Sequence, residues 1–221
     1  MTAAVGVKSG LARMRYGLAW NPNPPITLSQ WVTFAVIVGV NAVLVFFGVV
    51  AVPFAAIGVS AFYVAIGFMI PFALWFGLWG IIAAYLGAFI GGSLGGFPIA
   101  VGWYISSVDI IQVIVPFVLY RAFASRFGID PLGSDLYSKN WLKAWVFFAL
   151  AAVFFQNVIA ASLNMWVLVL VGLMPPDVFQ PAVTGWVVGD LIVIPVITPV
   201  VCKFLSPVVE RSGLVVHGWI S

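Results

Sequence analysis

The chain has 221 residues, 64% of them hydrophobic and only 7% charged, with nine basic and six acidic side chains and a net charge of +3. Together with a mean hydropathy of +1.19, so low a charge content, against roughly 25% in soluble domains, excludes a soluble globular domain and predicts an all-α integral membrane protein. A single Cys202 and a single His217 exclude a disulfide framework and a Cys/His metal cluster, and the few scattered basic residues form no nucleic-acid surface despite a pI near 9.2.

Spanning helices need about 20 apolar residues each, which leaves room for about five to seven of them. No removable signal peptide is expected, because no apolar run follows directly on the first positive charges. From Lys8 to Trp20, basic residues alternate with Leu11, Met14, Tyr16 and Leu18, a pattern that fits a short amphipathic surface helix or a plain cytoplasmic tail. The NPNPP run, Asn21 to Pro25, then breaks any helix, and Thr27 or Ser29 caps the first span. That span is expected from Ser29 to Val50. A second follows from Phe54 to Trp75, and a third from Leu78 to Ser93, the pair forming either two spans or a kinked or re-entrant unit. Gly95, Gly96 and Pro98 interrupt the pattern, and a fourth span is expected from Tyr104 to Arg121. After the polar stretch Ala122 to Asn140, a long fifth helix runs from Trp141 to Leu173, tilted or beginning in the interface. The MPPDVFQP turn (Met174 to Pro181) leads to a sixth helix from Thr184 to Leu205. The domain reading is an N-terminal segment over 1–28, a transmembrane bundle of about six helices over 29–208, and a tail over 209–221.

With the N-terminus inside and six crossings, every basic residue falls on the cytoplasmic side, from Lys8, Arg13 and Arg15 through Arg121, Arg126, Lys139 and Lys143 to Lys203 and Arg211. The outer loops keep only Asp177. This is the pattern of the positive-inside rule, and it predicts both termini in the cytoplasm of a multi-pass protein of the cell membrane, surrounded by lipid. Gly80, Ala84, Gly87, Gly91 and Gly95 recur at spacings of three and four, a face for close packing, either within the chain or between two copies.

Three spans carry strongly polar groups: Asp109 and Gln112, Asn157 and Asn164, and Asp190. Ionisable side chains in hydrocarbon are costly and mark functional sites by default. From the expected helix ends, Asp109 lies roughly 8 Å deep, Asp190 about 10 Å, Gln112 about 12 Å and Asn164 about 13 Å, a common layer in the outer half of the membrane. Trp103, Tyr104 and Trp186 stand near it as aromatic walls, although Trp and Tyr at helix ends also serve as interfacial anchors. Asn157 reads equally as interhelical glue. The ligand-binding set is therefore Trp103, Tyr104, Asp109, Gln112, Asn164, Trp186 and Asp190, with no cofactor, no metal and no catalytic residue. No H-E-x-x-H, G-x-S-x-G or Walker loop occurs in the sequence, so an enzyme is not expected.

Gly77 to Gly92 (GLWGIIAAYLGAFIGG), a break, and Ser106 to Arg121 (SSVDIIQVIVPFVLYR) resemble the substrate-binding S components of energy-coupling factor vitamin transporters. That resemblance implies a six-helix uptake subunit, a vitamin-like solute bound near the outer face, and docking to energy-coupling subunits; Ala35 and Gly39 supply one small-residue step for such docking. GWVVGDLIVIPVITPVV, Gly185 to Val201, is similar to the closing helix of the membrane-associated sensor domain found ahead of kinases and cyclic-nucleotide enzymes, with Trp186, Gly189, Asp190 and Pro199 on its W-x-x-G-D and proline pattern. This second likeness implies a sensory or structural module working with a separate signalling partner or within a longer parent chain. The expected function is small-solute binding from the outer side, for uptake or, alternatively, for sensing.

Overall fold

The structure is a computed structural model that describes residues 16–21, 27–51 and 62–220, apart from the side chains of 49–51. Its first helix, α1 (Leu28–Ala51), starts where a capping box dictates. Thr27 Oγ1 accepts from the Gln30 amide, and Gln30 Oε1 accepts from the Thr27 amide at 2.8 Å, so two otherwise orphaned donors are satisfied reciprocally. The short helices α2 (Ile66–Phe76) and α3 (Leu78–Leu94) meet at Gly77, whose φ of 56° is open to glycine and costly for other residues. A Cβ there would also lie 2.5 Å from the Trp219 carbonyl oxygen. After Gly95 and Gly96 comes α4 (Ile99–Phe123). A single rod then joins α5 (Trp141–Phe148), a π turn (Ala149–Phe154) and α6 (Phe155–Leu170). The last helix is α7 (Phe179–Arg211).

Among the described residues the architecture is all-helical, and four helices are long and apolar enough to cross a membrane: Leu28–Gly48, Ile99–Phe127, Trp141–Leu170 and Pro176–Arg211. Three expected boundaries are corrected. The second helix begins only at Ile66, after a turn at Val64 and Ala65; the part of that expectation covering 52–61 lies outside the described residues. α4 begins at Ile99 rather than Tyr104, because Pro98 already ends the turn in extended geometry and its carbonyl accepts from Val101 and Gly102. α7 begins at Phe179 rather than Thr184 and runs on to Arg211. Pro181 falls in its first turn, where no intrahelical donor is needed.

The small-residue face of α3 packs within the chain. A Cβ at Gly87 would collide with Asn41, one at Gly91 with the Ala42 backbone, and one at Gly80 with the Phe72 backbone; Asn41 Nδ2 donates to the Ala84 carbonyl at 2.9 Å. Glycines at these points let α1 and α2 approach α3 more closely than any side chain permits.

One end of the bundle gathers the ends of α2, α4 and α7, the 124–140 connection, the tail and residues 16–21. Residues 16–21 are not helical there. Gly17 donates to His217, Trp219 to Ala19, Val216 to Trp75 and Leu78 to Trp219, at 2.7 to 3.0 Å. The expected surface helix over Lys8 to Trp20 is thus corrected in its described part, while Lys8 to Arg15 lie outside the described residues. Arg121 is buried at this end. Its guanidinium donates to the carbonyls of Leu74 and Val216, both at 2.6 Å, and of His217 at 3.1 Å, and it stacks over the rings of Tyr16 and Phe117. Trp75 Nε1 donates to Ser206 Oγ, which donates in turn to the Leu132 carbonyl. Lys203 lies over the Tyr137 ring and Arg126 over that of Phe123. The opposite end, at Gly95 to Pro98 and Val171 to Val178, carries Asp177 and no basic residue.

Candidate functional site

Two apolar clusters divide the long helices. One joins Ile105 of α4, Ala161, Met165 and Leu168 of α6, and Ala182 and Trp186 of α7. The larger one takes in Val113 and Phe117 of α4, Ala151 and Ala152 of the π turn, and Val193 and Ile194 of α7. Between them along the same three helices come Asp109 and Gln112, Gln156 and Asn157, and Asp190, all buried. α4 and α7 run in one direction and α6 in the other, so one turn beyond the Ile105, Ala161 and Trp186 contact brings Asp109, Asn157 and Asp190 to the same level. A polar layer is closed above and below by apolar side chains.

Hydrogen bonds within the layer begin at Asp190. Its Oδ2 accepts from Gln112 Nε2 at 2.9 Å and from Trp186 Nε1 at 3.1 Å. Tyr63, just ahead of α2, donates to Asp109 Oδ2 at 3.4 Å. No basic side chain reaches either carboxylate: Arg121 points to the carbonyls at the other level, and no salt bridge to Asp109 or Asp190 occurs among the described residues. Among those residues no three His, Cys, Asp or Glu side chains converge, so the oxygen-rich set Asp109, Asp190 and Tyr63 with neighbouring amides is what the layer offers to a polar guest.

The amides of α6 are the unusual part. Gln156 and Asn164 are 0% exposed and Asn157 1%, and neither the oxygen nor the nitrogen of any of the three has a hydrogen-bond partner; Gln112 Oε1 also has none. A buried polar group left unpaired costs about 1 to 3 kcal/mol, and native proteins keep such groups at few, explicable places. Of these, Asn157 and Asn164 are seven residues apart on one face of α6, with Gln156 beside Asn157.

The expected site is therefore partly assembled. Asp109, Gln112, Trp186 and Asp190 come together. Asn164 is buried two turns away along α6, beside Met165 and Leu168, and bonds to neither carboxylate. Trp103 and Tyr104 are corrected: they are 48% and 55% exposed, and Trp103 stacks on Phe89 of α3 at 4.3 Å. With α4 starting at Ile99 they sit on its second turn, opposite the buried face of Ile105, Asp109 and Gln112, and cannot wall the layer. With the earlier helix starts, Asp109 lies about 15 Å along α4 and Asp190 about 17 Å along α7, further from the helix ends than expected. The expected set left out Tyr63 and Gln156 and read Asn157 equally as interhelical glue; the signal was a Gln-Asn pair set in the apolar run FFQNVIAA.

No protein-family model matches the chain, nor does any curated protein or solved structure.

Proposed function

We propose that this chain is a multi-pass protein of the cell membrane with both termini in the cytoplasm, and that it binds a small polar solute in the layer formed by Tyr63, Asp109, Gln112, Gln156, Asn157 and Asp190. Four helices of spanning length and the gathering of the described basic residues at one end support the membrane placement and its sidedness. The observation that carries the binding reading is the buried, unpartnered amides of Gln156 and Asn157 on α6, at the level of two carboxylates that no described cation pairs. A solute rich in donors, neutral or positively charged, satisfies both kinds of group at once.

Uptake, in the manner of a substrate-binding transporter subunit, is the use that fits a site deep in the span, because transporters place their substrates near the midplane. Sensing is the second reading, favoured by α7. At about 50 Å it outruns a hydrocarbon core of about 30 Å, so a bound solute would touch a rod that leaves the membrane at Arg211.

Native mass spectrometry of the chain purified in mild detergent tests the site. A small molecule should be carried by the wild type and lost in Asp109→Asn combined with Asp190→Asn. Binding unchanged in that double variant overturns the assignment.

A further inference from the structure

Away from the polar layer, the surface between the ends of α4 and the α5–π–α6 rod forms a groove of about 710 Å³. Its floor and walls are apolar, with Leu119 on one side and Phe147, Leu150 and Phe155 on the other. Leu142, Val146, Leu150 and Phe155 along its rim are all exposed, so it opens outward rather than into the bundle. At one end the lining changes character to Lys139, Asn140 and Lys143.

The charge at that end is one-sided. No acidic side chain lines the groove, and neither lysine has an ion-pair partner among the described residues. The acids nearest in sequence are turned into their own loop: Asp130 accepts from the Leu132 amide and from Ser134, and Asp135 accepts from the Asp130 amide. Lys139 lies in the turn just before α5 and Lys143 in its first turn, and both line the groove. That helix end also presents the positive pole of its dipole.

The dimensions match one leaflet. From Asn140 to Phe155 the rod rises about 22 Å, and half of a bilayer of about 40 to 45 Å including headgroups is about 20 to 22 Å. We infer that this groove holds one anionic phospholipid of the cytoplasmic leaflet, its phosphate between Lys139 and Lys143 and an acyl chain along Val146, Leu150 and Phe155. Basic recesses between helices on the cytoplasmic side are suited to anionic headgroups, and here the cationic end and the apolar slot are continuous. The inference rests on the membrane placement proposed above and is independent of the solute site.

The test uses the full chain in mild detergent, titrated with phosphatidylglycerol or phosphatidylcholine of identical acyl chains and read by native mass spectrometry. Phosphatidylglycerol should be retained at a concentration at least tenfold lower. Lys139→Gln with Lys143→Gln should bring the two lipids within twofold of each other, Lys139→Arg with Lys143→Arg should keep the preference, and Val146→Trp should weaken both lipids by blocking the slot. Equal binding of the two lipids to the wild type, a preference that survives the double Gln variant, or displacement of the lipid by millimolar inorganic phosphate alone would each overturn the proposal, the last by showing an anion site with no use for the chain.

Discussion

Two regions of this molecule bury polar groups in apolar surroundings, and they differ in how much of that polarity the chain itself satisfies: at the basic end only single atoms, Arg121 Nε, Ser125 Oγ and Asp135 Oδ1, lack partners, whereas on α6 whole amides do. At the basic end, Arg121 spends its guanidinium on three backbone carbonyls from α2 and the tail, and Ser206 links Trp75 to Leu132. Halfway along the bundle Gln156 and Asn157, and two turns further along α6 Asn164, hold amides that bond to nothing in the chain. Satisfied polarity fastens one part of a structure to another; unsatisfied polarity lowers the stability of the chain by itself, and is retained where something outside the chain uses it. The first region is scaffold and the second is where binding is proposed.

Substitutions can break this contrast. The largest effect is expected at Arg121. Arg121→Met keeps much of the volume but strands the Leu74, Val216 and His217 carbonyls, and should lower stability by about 3 kcal/mol or more, seen as a drop in thermal unfolding temperature in detergent with release of the tail to proteolysis. An unfolding temperature equal to wild type would mean that the clamp holds nothing. Next comes the opposite sign. Gln156→Leu with Asn157→Leu removes unpaired groups, so the chain without solute should be as stable as wild type or up to about 2 kcal/mol more stable, while solute retention by native mass spectrometry is abolished. Loss of stability there would show that the amides are structural after all.

A smaller change separates the two halves of the polar layer. Trp186→Phe removes one of the two donors to Asp190 and should cost about 1 kcal/mol, with weaker solute retention; Phe keeps the apolar packing against Ile105 and Ala182. The smallest effect lies outside the helices, at Asp135. Burial pushes its carboxyl up to about 6, the Asp130 amide hydrogen bond opposes this, and the charge of Asp130 adds to it. The folded chain therefore holds a proton that the unfolded chain has already released, and this contribution to stability is present below about pH 4 and lost as the pH rises to about 6. Asp135→Asn should flatten that slope and raise stability above pH 6 by less than about 1 kcal/mol, the side chain being only half-buried. An unchanged slope between pH 4 and 6 would remove Asp135 as its source.

How far the sequence told this story depended on whether the deciding interaction was local. The ends of α1 and α3 were legible because their causes lie within a few residues, Thr27 with Gln30 in one case and Gly77 with Gly95 in the other. Asp109, Gln112 and Asp190 stood out because such side chains are expensive in an apolar run, and their shared level followed from helix length alone. Trp103 and Tyr104 misled because, with the helix expected to start at Tyr104, they read as loop residues over the site, whereas Pro98 had already set the helix start and they lie exposed on its second turn. Arg121 looked like an ordinary basic residue at a helix end. Its burial depends on carbonyls 47 and 95 residues away, which no local pattern announces.

The π turn shows most plainly why the facing of the α6 amides could not be read from a regular helical wheel. Each α-helical residue advances about 100°, so in an unbroken helix Asn157, eleven positions after Val146, would point within about 20° of it. Val146 is 53% exposed and Asn157 1%. The extra residue accommodated by the wider turn at Ala149–Phe154 changes the phase of everything after it, turning to the interior a stripe that a helical wheel draws on the outside. A one-codon deletion within that turn would therefore be absorbed rather than felt downstream: an ordinary turn replaces the wide one, and every side chain of α6, the amides included, keeps the face it has now.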